Sequence, residues 1–317
     1  ICRHYGSNPQ FIASSATIAN PDELMERLTG VKSTIISNDG APTGKRTFVF
    51  WNPPLLGETG ERKSTNVEAT FLFTDLVKRG IRTLVFARSR KSAELILRYS
   101  QEALDETHPH IIRKIASYRG GYTADERRKI EQDLFEGSLI GVATTNALEL
   151  GVDVGDLDVT ILTGYPGTIS AAWQQAGRSG RSNSEALSVL VASDNPLDQY
   201  LMKHPDYFFG KPSEHAVLDP DNRRIVSAHL ACAAYELPIQ ENEIPEISAC
   251  AEKELTELSA VGRLVHRDGR WFYRVDGYPA SEVNIRSMTS GTYSIINDLE
   301  GGKVIGSVES ARADRKS

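Results

Sequence analysis

Cysteine is scarce in this chain, and what there is does not cluster. Cys2, Cys232 and Cys250 are the three in 317 residues, far apart and without a C-x-x-C pair. That argues against a complete zinc site or a disulfide framework and fits a reducing compartment. No apolar run approaches the ~20 residues of a membrane span. Excess positive charge is also missing: 36 Lys and Arg face 42 Asp and Glu, a net charge of −6. A grip on nucleic acid would therefore need local basic groups in a groove rather than bulk charge. The opening "ICRHYGSNPQ" has neither an initiator Met nor a signal-peptide pattern, so the expectation is an internal piece of a longer protein. Repeats and low-complexity segments are absent.

What remains is an ordinary globular composition, 40% hydrophobic and 25% charged, in a length that suits about two domains of ~150 residues. "QFIASSAT" (residues 10–17) reads as a short buried strand. "NPDELMERLTG" reads as a helix with Asn20 as its cap, Pro21 at its first position and Gly30 past its end. "RTFVFWNPP" is a strand stopped by prolines, and residues 66–80 carry the 3.6-residue period of an amphipathic helix.

From residue 82 the pattern becomes regular. Strands are expected in "RTLVFA", "IRKIASYRG", "IGVATTN", "DVTILTGYP" and "ALSVLVAS". Helices fall between them at residues 92–106, at 123–137 and in "SAAWQQAGRSGR" (residues 170–181). Such alternation means α/β architecture, a parallel sheet with helices on both faces, and puts ligand chemistry beyond the carboxyl ends of the strands. After "DNPLDQYLMKHP" the alternation stops. Helices at 222–237 and 251–262, then a hairpin over 263–275 turning at Asp268-Gly269, are the grammar of a small α+β winged helix. "TYSIIND" and "KVIGSV" read as short strands of a further domain.

Two Gly-Arg pairs within "SAAWQQAGRSGR" need an explanation, because each glycine weakens a helix by roughly 1 kcal/mol relative to Ala. A capped helix end with solvated arginines would suffice for one pair. Two pairs suggest backbone and guanidinium closing on something anionic.

The blocks "LVFARSR", "YRGGYTADERR", "VATTNALELGVDVGDLD" and "QQAGRSGR", in that order, resemble the second RecA-like lobe of superfamily 2 helicases. "SSATIANP" resembles the end of the first lobe. The wording "NALELGVDVGDLD…GYPGTISAAWQQAGRSGR" with "NPLDQYLMKHP" resembles the RecQ-related Hrq/SftH/MrfA group of DNA helicases over essentially the whole chain.

The resemblance implies an ATP-dependent 3′–5′ DNA helicase or translocase. Its parts would be the end of the first lobe and a connector (1–45), the second RecA-like lobe (46–195), a linker (196–221), a winged helix (222–280) and the start of a C-terminal domain (281–317). Gln174, Arg178 and Arg181 would be the catalytic set, the arginines acting as fingers toward ATP held on the other lobe. A guanidinium suits that task because its fork is planar and always charged. Gly177 would allow close packing, with Gly151 and Asp153 approaching the ATP ribose. Arg88, Arg90, Arg119, Arg127 and Thr145 would touch the backbone of single-stranded DNA.

Leu150 stands where many superfamily members carry Arg. "GAPTGKRT" is one residue short of a phosphate-binding loop and precedes a strand. "DETH" (residues 105–108) ends a polar helix, where a Mg²⁺ carboxylate would need the end of a buried strand. ATP and Mg²⁺ would thus be held mainly by a first lobe outside this chain, and the four-cysteine zinc module of the family is not in this sequence. His108 and His110 in a Pro-containing loop are a weak metal pair. Trp173 reads as packing; Trp271 is the better base-stacking candidate. The implied partners are single-stranded DNA or a strand junction and the first RecA-like lobe, without a membrane. The implied location is cytoplasmic, on the nucleoid if bacterial. Two rivals remain open: a non-catalytic nucleic-acid-binding module, and a protein-interaction module on the same fold.

Overall fold

A computed structural model of the protein describes residues 5–15, 17–38, 40, 44–57, 60–155, 157–180, 185–283, 292–297 and 301–309. The chain divides into two compact units, residues 1–21 with 35–216, and residues 22–34 with 217–317.

In chain order come α1 (Pro21–Thr29), β1 (Arg46–Trp51) and a two-residue hairpin of β2 (Leu55–Leu56) and β3 (Glu61–Arg62). The regular alternation follows: α2 (Thr65–Lys78), β4 (Thr83–Phe86), α3 (Arg90–Asp105), α4 (Pro109–Ile112), β5 (Ile115–Tyr118), α5 (Ala124–Phe135), β6 (Gly141–Thr144), β7 (Val159–Thr163), α6 (Ile169–Ala176) and β8 (Ala186–Val191). Helices α7 (Pro196–Lys203) and α8 (Pro205–Gly210) close the first unit.

The large sheet has the order β1-β8-β7-β4-β6-β5 and every pairing in it is parallel. Successive side chains of a strand point to opposite faces, and both faces are covered. Val85, Ile161, Val189 and Val191 pack with Phe73 and Val77 of α2 and Ile96 and Leu104 of α3. On the other face Leu84, Phe86 and Val142 meet Leu134 of α5, while Leu162 and Leu190 meet Ala172 of α6 and Phe208 of α8. Trp173 packs in the latter cluster, 5.3 Å from the Phe208 ring and 5.6 Å from Phe48.

Local signals set the helix starts. Thr123 and Glu126 form a reciprocal capping box at α5, and Ser89 accepts the Ser92 amide at 3.0 Å, starting α3 two residues earlier than expected. Asn20 does more than precede α1: its amide exchanges hydrogen bonds with the backbone of Ala216 at 2.8 and 3.2 Å.

Two expectations need correction. Residues 10–15 form no strand, and Ile12 is 87% exposed; among the described residues no neighbouring strand completes its hydrogen bonds. Helix α6 ends at Ala176, so Gly177, Arg178 and Gly180 follow the helix instead of lying in it. Beyond the helix, Gly180 is required as glycine, because its φ is +72° and a Cβ there would lie 2.5 Å from that of Ala186.

The second unit has α9 (Arg223–Glu236), β9 (Ile239–Gln240), α10 (Ile244–Ile247), α11 (Ala251–Ala260) and the hairpin β10 (Leu264–Arg267) and β11 (Arg270–Tyr273). The hairpin turns through Asp268 at φ 51° and Gly269 at φ 71°, the pair of left-handed residues that a two-residue type I′ loop demands. β9 adds a third antiparallel strand, giving the order β10-β11-β9. Val226 and Leu230 of α9 pack against Leu255 and Leu258 of α11 and Leu264. β12 (Thr292–Asn297) and β13 (Lys303–Glu309) form a separate antiparallel pair. Among the described residues no helix is long and apolar enough to cross a membrane.

Candidate nucleotide and nucleic-acid site

The carboxyl ends of β4, β6 and β5 are neighbours in the sheet, and the segments that leave them carry Arg88 and Arg90, Thr145, and Arg119 respectively. The topology thus gathers residues up to 57 positions apart in sequence on one rim.

Within that rim the side chains differ in how tightly they are held. Arg88 Nη2 donates to Tyr165 O at 3.0 Å and to Asp198 Oδ1 at 3.3 Å. Asp198, 1% exposed, also accepts the amides of Ser193 at 2.7 Å and Tyr165 at 3.3 Å. Arg119 pairs with Glu94 at 3.2 Å and lies over the Tyr122 ring at 4.8 Å. The Tyr122 hydroxyl donates to the same carboxylate at 2.8 Å. Arg90 opens α3, its Nη1 3.3 Å from where a Cβ on Gly121 would stand. Arg127 sits on the first turn of α5 beside Tyr118. Burial, then the Glu131 carboxylate that accepts the hydroxyl, pushes Tyr118 up to about 12, with Arg127 opposing. Tyr118 is therefore a neutral donor at pH 7. Thr145 leads into a single 3-10 turn, Asn146–Leu148, directly after β6.

The same loop reaches a second group. Arg178 is 9% exposed, and its guanidinium turns inward: Nε donates to Glu149 O at 2.9 Å, Nη1 to Val152 O at 2.6 Å, and Nη2 to Glu149 O as well. Gln175 Nε2 holds the Glu149 carboxylate at 2.8 Å, whereas Gln174 Nε2 stays on its own helix, donating to Ser170 Oγ at 3.1 Å. Gly151 has φ +78° with open space around it, and Asp153 Oδ1 accepts the Gly155 amide at 3.2 Å. Gly177 caps α6, and a Cβ there would stand 3.0 Å from Trp173 O. Arg181 lies outside the described residues. Leu150 is exposed, as a side chain with no core duty. Among the described residues no group of three His, Cys, Asp or Glu could hold a metal ion; His108 and His110 have ring centroids 6.0 Å apart.

The profile of the helicase conserved C-terminal domain matches residues 66–183, and that of the winged helix domain of the ATP-dependent helicase HRQ1 matches residues 218–288. By these two domains the chain belongs to the Hrq1/MrfA type of superfamily 2 helicases. It is 43% identical over 313 residues to the uncharacterized ATP-dependent helicase YprA of Bacillus subtilis, covering 98% of this chain and 41% of YprA. With the ATP-dependent helicase hrq1 of Schizosaccharomyces pombe the identity is 35% over 311 residues, 96% of this chain and 29% of that protein. The crystal structure of the DUF1998 helicase MrfA bound to DNA and AMPPNP superposes with a TM-score of 0.88 at 42% identity, over 98% of this chain and 44% of MrfA. The chain therefore spans less than half the length of these relatives, and supplies a helicase C-terminal domain followed by a winged helix.

Sequence reasoning passed over three residues that organise this helicase lobe. Asp198, in "NPLDQY", ties together the segments that follow β7 and β8. Glu149 accepts from both Gln175 and Arg178. Glu214, in the linker, receives the amides of Ile169 at 2.6 Å and Ser170 at 3.0 Å at the start of α6. Burial raises the Glu214 carboxyl, but the Ser170 and Ile169 amides outweigh it and leave it below its ordinary value. An acid 44 positions from its partner has no periodicity to betray it. Asp198 had one signal: N-P-x-D is a helix start, and Asn195 indeed accepts the Asp198 amide at 2.9 Å.

Proposed function

We propose that this chain is the C-terminal motor half of an ATP-dependent 3′–5′ DNA helicase or translocase. The supporting observation is one loop: it begins at Thr145 on the rim and ends at Asp153, held in between by Arg178 through Glu149 O and Val152 O. A segment with nucleic acid at one end and nucleotide at the other can convert hydrolysis into a change of grip.

In this reading Arg88, Arg90, Arg119, Arg127 and Thr145 neutralise or hydrogen-bond phosphates of single-stranded DNA. MrfA, the relative solved with DNA and AMPPNP, lends support by analogy. Asp153 and Gly151 approach the ATP ribose. Arg178 and Arg181 address the γ-phosphoryl group, where charge builds in the transition state and a rigid guanidinium stabilises it; Gln174 completes the catalytic set. Arg178 does so by exchanging a carbonyl partner for a phosphate oxygen, which loosens the 149–152 loop. Mg²⁺, and the phosphate-binding loop with it, belongs to the first RecA-like lobe, residues 1–45 being the end of that lobe and a connector. Residues 46–195 act as the second lobe, 196–221 as linker and 222–280 as the winged helix at the strand junction, while 281–317 open a C-terminal domain in which any zinc would be held. The working location is the cytoplasm, on the nucleoid in a bacterium.

The test is ATP turnover in the complete enzyme with and without single-stranded DNA. Arg181→Ala is expected to cut turnover by orders of magnitude with DNA binding retained, and the 317-residue chain alone to hydrolyse nothing. DNA-stimulated hydrolysis by the isolated chain, or normal turnover in the variant, overturns the reading.

A further inference from the structure

Helix α3 has two ties to the segment that leaves β5. Arg90, at its first position, and Glu94, one turn later, share a helix face. Arg90 reaches over Gly121, and Glu94 meets the same segment with its carboxylate. One oxygen, Oε1, accepts the Ser117 hydroxyl at 3.0 Å and the Tyr122 hydroxyl at 2.8 Å, and lies 3.2 Å from Arg119 Nε. Ser117 is buried on β5, and Arg119 and Tyr122 belong to the loop that follows it. A single acid of the β4–α3 segment thus gathers three donors from the far side of β6, since the strands run in the order β4-β6-β5.

Arg119 is held by charge and by a ring rather than by a directed bond. Among the described residues its buried Nε–H has no aligned acceptor, so the approach to Glu94 is an ion pair. The guanidinium carbon lies 4.8 Å from the centre of the Tyr122 ring. Both holds trace to Glu94, because the ring is tied to the carboxylate through its own hydroxyl. Burial raises the Tyr122 phenol above its ordinary value, which keeps that hydroxyl a donor. The Arg119 side chain is 39% exposed, and an ion pair so open to water contributes little to folding. Its consequence is where the guanidinium stands. A planar fork of five donors can meet a second anion with another edge while the first stays in place.

We infer that Glu94 is a positioning residue of the nucleic-acid rim, fixing Arg119 against the Tyr122 ring so that the guanidinium stands ready for a phosphate of single-stranded DNA. The inference rests on reading Arg119 as a phosphate contact. It runs against the simplest electrostatic expectation. A carboxylate beside an anionic ligand repels it, so deleting a passive acid would tighten DNA binding. Deleting a positioning acid does the reverse, because a loosened Arg119 must then be ordered when the phosphate binds, at a cost in side-chain entropy.

The experiment uses the complete enzyme and measures single-stranded DNA affinity across a salt series for Glu94→Gln, Glu94→Ala, Arg119→Ala and the double variant Glu94→Ala/Arg119→Ala. Gln is isosteric and keeps an acceptor for Ser117 and Tyr122, so it guards against a folding defect in the Ala variant. Both Glu94 variants are expected to weaken binding of all sequences roughly 2- to 5-fold, the span of a partly exposed ion pair. Glu94→Ala is expected to flatten the salt slope by ~0.7, one single-strand contact, although it removes no cation. A tie that serves folding alone leaves that slope at the parent value. The double variant is expected to bind no worse than Arg119→Ala. Tighter binding in either Glu94 variant, or losses that add in the double variant, overturns the inference. Unchanged affinity and slope in the Glu94 variants while Arg119→Ala weakens binding also overturns it, and leaves the phosphate reading of Arg119 standing. Unchanged binding in Arg119→Ala overturns that reading and the inference together.

Discussion

Arg178 Nη1 donates to the carbonyl oxygen of Val152 at 2.6 Å, joining the end of α6 to the loop that follows β6. Arg178 is only 9% exposed and the bond partly buried, so it contributes to stability as well as to position. Arg178→Ala is expected to lower stability by about 1.5–3 kcal/mol, the range for hydrogen bonds to a charged group, and to abolish most ATP turnover. Lys is expected to rescue neither, since one ammonium cannot span the Glu149 and Val152 carbonyls as a planar fork does. Urea melts with parallel ATPase assays check both halves, and a stable, active Ala variant contradicts them.

Glycines at two nearby positions separate strain from space. Gly151 has a left-handed φ but an open surround, whereas Gly180 has the left-handed φ and Ala186 at 2.5 Å. Gly151→Ala is expected to cost about 1–2 kcal/mol, the penalty of an L residue in that conformation. Gly180→Ala adds a steric clash of about 1–3 kcal/mol. Thermal melting of the two variants ranks them, and equal destabilisation would refute the packing argument.

Glu214 gives a pH-dependent prediction. Its folded pKa lies below the ordinary carboxylate value, so the charged form is the one that stabilises the start of α6. That contribution is complete above the unfolded value of about 4.3 and is lost as pH falls through the folded value. Glu214→Gln is therefore expected to melt below the parent at pH 7, the gap narrowing as pH drops below about 4. A gap independent of pH would assign the effect to packing alone.

Salt dependence distinguishes the rim from the nucleotide side. Each phosphate contact in single-stranded binding adds ~0.7 to the slope of log affinity against log salt. Arg127→Ala and Thr145→Ala are expected to weaken binding of all sequences alike, and the former to lower the slope by roughly one unit. Arg181→Ala leaves the slope unchanged. Unaltered affinity and slope in both rim variants would remove this rim as the track.

The sheet was legible because its strands are short β-branched runs and its helices carry caps and a 3.6-residue period, as at Thr123 and Gly80. The Gly-Arg pairs were legible as chemistry through their spacing. What stayed hidden is long-range and polar. Nothing around Arg178 announces that its guanidinium faces inward onto two carbonyls, because backbone acceptors leave no mark in a sequence. The strand expected at residues 10–17 failed over the described residues 10–15 for the converse reason, since local β propensity forms no strand without a partner.

Asp198 bears on how this lobe breathes. One buried carboxylate holds the Ser193 and Tyr165 amides and the Arg88 guanidinium, fastening the exits of three strands that neighbour one another in the sheet. Those two amide protons then have no small local opening through which to meet solvent. Their deuterium uptake is expected to follow the slowest class in the lobe, while the Thr145–Asp153 segment, held by side chains from outside the sheet, exchanges by a separate and faster route.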